Sequence, residues 1–258
     1  MTRPWTSLLA ALVVAGCTAT GASLPPPPPH PNGQALWRIV HDQCEPDQAA
    51  HANPAPCALV SLAGGEAHGF VVLKDRDGAS QYLIMPTAKI TGIEDPAVLA
   101  PDAANYFADA WGQRDRVGER LGRPLARTGL SIAVNSLYGR SQDQLHLHLD
   151  CVDSRVRAAL AADAAVSSDG RWTRLTLKGH AYRVRWLEDA ALAGANPFKL
   201  LADSQPGARQ AMGGWTLALV GAERPDGAQG FYLLADRVDL VAGDHGSAEE
   251  LQDHACSP

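Results

Sequence analysis

No run of consecutive Lys or Arg occurs anywhere in the 258 residues, and the formal net charge is −6, from 22 basic against 28 acidic side chains. Binding to a phosphate backbone leans on clustered basic residues, so nucleic acid is not an expected partner. Long apolar runs are also missing. The run near the start, Leu8 to Val14, is too short for a stable bilayer span. Hydrophobic residues nevertheless make up 46% of the chain, enough for one large domain or two small ones with a real core.

That short run sits in MTRPWTSLLAALVVAGC, a single Arg followed by apolar residues, which has the shape of an export signal. Val14-Ala15-Gly16-Cys17 resembles a bacterial lipobox, in which Cys17 becomes the lipidated first residue; the alternative is an ordinary signal peptide that happens to contain a cysteine. Residue 18 is Thr and not Asp, which leans towards the outer membrane. The expected place is the bacterial cell envelope, membrane-anchored and facing the periplasm. Pro25 to Pro29 is a run of five prolines, a stiff spacer that would hold a globular domain off the membrane surface. The divisions expected are a signal segment at 1–17, a tether at 18–33, and a folded domain at 34–258.

Four further cysteines remain, Cys44, Cys57, Cys151 and Cys256, and an even count in an exported chain suggests disulfides. Four cysteines allow three connectivities. The expected one joins Cys44 to Cys57 across a short Pro-rich loop and Cys151 to Cys256, tying the C-terminus to the end of the strand that carries His146 and His148.

Along the chain, Gln34 to Cys44 reads as a short helix. Gly69 to Asp75 and Gln81 to Met85 read as a hairpin around the Asp77-Gly78 turn, stopped by Pro86. Ala104 to Gly118 has apolar residues at helical spacing. Leu130 to Val134 is an apolar strand, Ser154 to Ala162 a helix, and Tyr182 to Leu187 and Trp215 to Val220 are strands. The fold class is α+β, an antiparallel sheet with flanking helices. Gly230 to Arg237 repeats five of the eight residues of Gly69 to Arg76. This echo suggests two related halves, about 34–165 and 166–258; equally, strand-then-turn sequences resemble one another. His-x-His occurs in the first half only, so any second half is non-catalytic, and a duplication inside one chain would suit a monomer.

The most informative stretch is Gln144-Leu145-His146-Leu147-His148-Leu149-Asp150. Apolar and polar residues alternate, which is the period of a half-buried strand. Gln144, His146, His148 and Asp150 then share one face while the leucines enter the core, and Cys151 faces away from the histidines. His180 and His245 carry no comparable context.

This strand resembles the histidine-triad (HIT) superfamily motif, His-x-His-x-His or Gln with apolar x. Asn135 stands eleven residues before His146 and Gln142 four before it, as in that superfamily, and Asp75 and Pro86 match its upstream hairpin. More narrowly, the chain is similar to the bacterial CDP-diacylglycerol pyrophosphatase family. The shared features are Asn-Ser, Gly-Arg-Ser-Gln, Gln-Leu-His-Leu-His and the following Cys, with matches from about residue 35 to 256 that include Pro54 to Cys57, Tyr82 to Thr87 and Ala248 to His254.

The resemblance implies a HIT-like fold and hydrolysis of CDP-diacylglycerol to CMP and phosphatidate, with no cofactor and no metal. His148 maps to the nucleophile and His146 to a residue that contacts phosphate or orients the ring. Asn135 and Gln142 would donate to phosphate oxygens, Asp75 would bind ribose, and Lys74 and Arg140 are candidates for the diphosphate. Gln81 stands where relatives often have a supporting His. Asp150 occupies the motif's third position, where the motif has His or Gln, and is a further candidate contact to substrate.

Two other readings compete. His-x-His-x-Asp also opens the metallo-β-lactamase zinc motif, but that motif continues with His where this chain has Cys151, and it lies on a loop. A lipoprotein that binds a nucleotide or lipid without turnover is the third, although a pure binder has no need of both histidines.

Overall fold

The computed structural model describes residues 24–163, 166 and 169–257; Cys17 and the export segment lie outside them. Nine strands form a single sheet in the order β1-β2-β3-β5-β4-β8-β9-β7-β6. They are β1 (Leu59–Ser61), β2 (Phe70–Lys74), β3 (Tyr82–Pro86), β4 (Leu130–Val134), β5 (Leu147–Cys151), β6 (Thr173–Leu177), β7 (His180–Glu188), β8 (Trp215–Glu223) and β9 (Gln229–Arg237). Every pairing in the sheet is antiparallel.

The helices are α1 (Ala35–Ile39), α2 (Glu45–His51), α3 (Tyr106–Gly112), α4 (Asp115–Leu121), α5 (Ser154–Ala162) and α6 (Pro197–Ser204). The helix expected to end at Cys44 continues. A π-helical turn, Val40–Cys44, joins α1 to α2, whose second residue is Pro46. The helix expected over 104–118 is two helices. Asn105 caps the first by accepting from Ala108 N, and Gln113 leaves helical geometry (φ −100°, ψ 3°) after Gly112, a weak helix former. The 154–162 helix has the expected bounds, with Asp153 accepting from Arg155 N and Val156 N at its start.

Alternation along the strands divides the interior between the two faces of the sheet. On one face Ile84, Ile132, Leu147, Leu149, Leu217, Leu219 and Leu233 pack against Phe107, Trp111 and Val117 of α3 and α4 and Phe198 and Leu201 of α6. The opposite face carries two separate apolar clusters. Val40, Cys44, Cys57, Val71, Leu83 and Met85 make one, under α1 and its π turn. Ala133, Val156, Leu160, Val184, Ala218, Val220 and Leu234 make the other, under α5. His148 pairs with Leu83 on one side and Ala133 on the other. It therefore stands in the seam between the two clusters, followed by Asp150 opposite Ser131.

Both expected disulfides are present, Cys44–Cys57 and Cys151–Cys256, with Cα–Cα distances of 5.6 and 5.3 Å. The second ties the C-terminal segment to the end of β5. The proline-rich tether is bound to the domain over its described part: Tyr138 Oη donates to Pro25 O at 2.6 Å, and the His30 ring Nδ1 is 2.9 Å from Asp143 Oδ1.

In chain order β2 and β3 form a hairpin, helices follow, then β4 and β5, and their spatial order is β2-β3-β5-β4. The second half runs β6-β7 hairpin, α6, then β8 and β9, with spatial order β6-β7-β9-β8; β4 and β8 pair where the two meet. The peptide echo does not follow this order, because it falls on β2 and β9, which hold different places in the two runs.

Candidate active site

The ladder of β5 begins at Leu147, later than the alternating sequence suggests, because Leu145 N bonds instead to Ile90 O at 2.6 Å, outside the sheet. The alternation itself persists: Leu145, Leu147 and Leu149 are in the core and the histidines are on the other face. His146 and His148 meet edge to face with ring centroids 4.9 Å apart. Both line a cleft of about 570 Å³ together with Lys74, Asp75, Gln142 and Glu249, and its apolar wall is built from Leu36, Ile39, Leu73 and Leu83.

Glu249 is the residue that reading the sequence missed. It arrives on a 3₁₀ turn, Ala248–Leu251, in the C-terminal segment and places Oε1 3.2 Å from His148 Nδ1. Gln81 lies against the same two groups, its Nε2 donating to Glu249 Oε1 at 3.1 Å and lying 2.9 Å from His148 Nδ1. His148 Nε2 is buried and has no hydrogen-bond partner. Nδ1 lies between an acceptor, Glu249 Oε1, and a donor, Gln81 Nε2; in the tautomer with the proton on Nδ1 the lone pair is on Nε2.

Burial disfavours the charged ring and holds the His148 pKa well below the ordinary histidine value, and His146 and His254 act in the same direction; Glu249 opposes them. Burial would raise the Glu249 carboxyl, but His148, Gln81 and Asn135 facing it bring the net shift downward. The site therefore presents a neutral imidazole beside a carboxylate near pH 7.

Asn135 does not face the cleft. Its Nδ2 donates to Glu249 Oε2 at 3.0 Å, and its Oδ1 accepts from Glu249 N and Ser247 Oγ. It fixes the carboxylate that fixes His148. His146 Nδ1 is 2.6 Å from Gln144 O, an arrangement that needs N–H on Nδ1, and burial lowers its pKa. Gln142 lines the cleft and its Oε1 accepts from Leu36 N at 3.2 Å, joining α1 to the connector before β5. Asp75 also lines the cleft, its carboxyl raised mainly by burial. Lys74 Nζ donates to Asp75 O and Gly78 O.

Arg140 is buried and occupied elsewhere, with Nη1 2.5 Å from Glu94 and Nη2 3.3 Å from Asp143. Asp150 is fully buried; Ser80 Oγ donates to Oδ1 at 3.2 Å, and His254 Nδ1 is 2.9 Å from Oδ2. That bond holds the His254 pKa above the ordinary value, the Asp150 charge adding to it against partial burial. Among the described residues no convergent ligand set joins His146, His148 and Asp150, so the zinc reading of His-x-His-x-Asp finds no support in the geometry. Cys151 is committed to its disulfide.

Glu249 and His254 both lie in the run Ala248 to His254, and the signal for them was only that shared peptide. A carboxylate about a hundred positions from its histidine leaves no local pattern.

A family model described as CDP-diacylglycerol pyrophosphatase matches residues 31–258. A CDP-diacylglycerol pyrophosphatase of Yersinia pestis is 45% identical over 227 residues, covering 87% of this chain and 84% of that protein. The family match spans β5, the cleft and the Glu249 segment, and the chain belongs to the CDP-diacylglycerol pyrophosphatase family.

Proposed function

We propose that the protein hydrolyses CDP-diacylglycerol to CMP and phosphatidate, with His148 as the nucleophile. The observation that carries the nucleophile is the asymmetry of its ring: Nδ1 faces Glu249, while Nε2 has no partner. Nε2 forms a bond to the phosphorus next to cytidine as the bond from that phosphorus to the bridging oxygen breaks. Phosphatidate leaves with the electron pair. Water then attacks the same phosphorus, the P–N bond breaks, the ring recovers its lone pair, CMP departs and a proton passes to solvent.

Each neighbouring residue has a part in this reading. Glu249 stabilises the positive charge that develops on the ring. His146 packs edge-on against His148 and orients it. Gln142 donates to phosphate from its free amide, Asp75 takes the ribose, and Lys74 moves from its carbonyl partners to the diphosphate.

The repeated order of hairpin, helical crossover and strand pair on either side of the β4–β8 seam supports a fold of two HIT-like halves, the second without His-x-His. A sheet completed within one chain suits a monomer. Lipidation at Cys17 would bring the enzyme to a membrane surface on the periplasmic side, where a lipid substrate resides.

The test is CMP release from CDP-diacylglycerol in detergent by the wild type, His148→Ala and His148→Gln, with mass spectrometry of the protein quenched in alkali during turnover. Turnover lost in both variants, and a cytidylyl adduct on the peptide containing His148, are expected. Full turnover in His148→Gln, or an adduct on another residue, overturns the assignment.

A further inference from the structure

A second group of ionisable side chains is buried away from the cleft, where β7 and β9 meet the segment that follows β9. His180 opens β7, Asp236 stands near the end of β9, and Asp244 lies in the following loop. One ligand atom from each of the three lies within 4.8 Å of the others. His180 Nδ1 is 3.8 Å from Asp244 Oδ1 and 2.8 Å from Glu250 Oε1, and Tyr182 Oη donates to the same Glu250 oxygen at 2.7 Å.

The charges here are not balanced. Asp236 is 4% exposed and Asp244 5%. Asp236 Oδ1 accepts from Arg237 N and Asp244 Oδ1 from Gly246 N, but Asp236 Oδ2 is buried with no hydrogen-bond partner. Among the described residues no Lys or Arg forms a salt bridge with Asp236, Asp244 or Glu250, and His180 is the one basic partner of the latter two. Two carboxyl groups in contact inside a protein need either a proton or a cation between them.

We propose that His180, Asp236 and Asp244 form a binding site for one divalent transition-metal ion, with Asp236 Oδ2 as the waiting ligand. Imidazole together with carboxylates suits zinc or manganese, whereas magnesium and calcium favour all-oxygen shells. Bonds of about 2.0–2.2 Å place tetrahedral ligands roughly 3.4 Å apart, so the 3.8 Å between His180 and Asp244 closes with a small side-chain movement. Glu250, held by Tyr182, stands beside them as a further carboxylate.

The ion would fasten β7 and β9 to the loop that leads to Glu249. The same loop is bound to the connector before β5, where Ser136 N donates to Gly246 O and Ser136 Oγ to His245 O. Gly246 has φ +66° and lies against Ser136, where an added Cβ would come within 3.1 Å of the serine Cβ. The site is therefore a structural one, distinct from the chemistry at His148.

The test is calorimetric titration of chelator-treated, dialysed full-length protein with zinc chloride and separately with manganese chloride. Thermal melts with and without zinc accompany it. One ion per chain is expected for at least one metal, together with a rise in melting temperature. His180→Gln and Asp236→Asn should each weaken binding roughly tenfold or more and abolish the rise. His148→Gln should keep the ion, since the two cleft histidines could attract zinc themselves. If Asp236→Asn does not fold, partly exposed His180 decides alone. Absence of saturable binding by both metals overturns the site, as does binding unchanged in His180→Gln or lost in His148→Gln. None of these readouts is activity, so failure of the pyrophosphatase reading leaves this result intact.

Discussion

Glu249 Oε1 lies 3.2 Å from His148 Nδ1, and it does so because Asn135 and Gln81 each donate to one of the two Glu249 oxygens. In the proposed mechanism the carboxylate keeps the ring hydrogen on Nδ1 and leaves Nε2 to attack. Glu249→Gln keeps the shape and removes the charge that, in the proposed mechanism, stabilises the ring as it becomes positive. The expected loss in kcat is about a hundredfold or more, by comparison with other carboxylate–histidine pairs. KM should change little. Steady-state CMP release measures both, and a kcat within about threefold of wild type would remove Glu249 from the mechanism.

The pH profile gives a second test with a definite sign. Burial depresses the His148 pKa below the unfolded value of about 6.5, so the ring stays neutral and nucleophilic below that pH. The acid limb of kcat/KM should therefore fall below pH ~6.5. Glu249 is the group that raises the His148 pKa, so Glu249→Gln should move the acid limb further down while lowering the plateau. The same linkage applies to stability: a histidine with depressed folded pKa contributes fully above the unfolded pKa, and that contribution is lost as pH falls below it. An acid limb that moves upward in Glu249→Gln would contradict the assignment.

Asn135 should behave as a positioning residue. Its bonds go to Glu249 and Ser247, and none reaches His148. Asn135→Ala should lower kcat roughly tenfold with KM nearly unchanged, and the double variant with Glu249→Gln should be little worse than Glu249→Gln alone. Additive losses would mean that Asn135 acts on substrate independently.

Much of this arrangement was legible in the sequence where the pattern was local. Alternation from Leu145 to Leu149 placed the histidines on one face, and the helix read at Ser154 to Ala162 is α5 to the residue. β6 went unread because Thr173–Leu177 is a half-exposed strand with only Leu177 buried. α6 went unread although Asn196-Pro197 is a start signal, since only two turns follow. Arg140 looked like a phosphate ligand by position. It is instead held by Glu94, forty-six residues earlier, a partner that no spacing rule points to. Asp150 likewise reads as part of the reactive face, and only the return of the C-terminus shows its partner to be His254.

That pair is open to direct measurement. Asp150 raises the pKa of His254, so the ring's proton resonances should titrate with a midpoint above about 6.5. In Asp150→Asn the midpoint should fall. A raised histidine pKa contributes stability below the unfolded value and loses it as pH rises through the folded one, the reverse of His148. An unchanged midpoint in Asp150→Asn would assign the shift to Glu249, whose Oε1 is 3.6 Å from His254 Nε2.

The two disulfides should differ in what their loss does. Cys44–Cys57 closes 13 residues and Cys151–Cys256 closes 105. Chain entropy alone assigns about 3 kcal/mol to the first and about 4.7 kcal/mol to the second. Their places in the fold separate them further. The first braces the helical wall of the cleft, while the second anchors the segment that carries Glu249 and His254. Replacing Cys151 and Cys256 together by serine should lower the denaturant midpoint by the larger amount. It should also reduce kcat under conditions where the protein is still folded, because Glu249 is no longer held against His148. Replacing Cys44 and Cys57 should leave kcat nearly intact in the folded protein and act mainly on stability and KM. Equal kcat losses in the two double variants would show that the C-terminal segment keeps its position without its covalent tie.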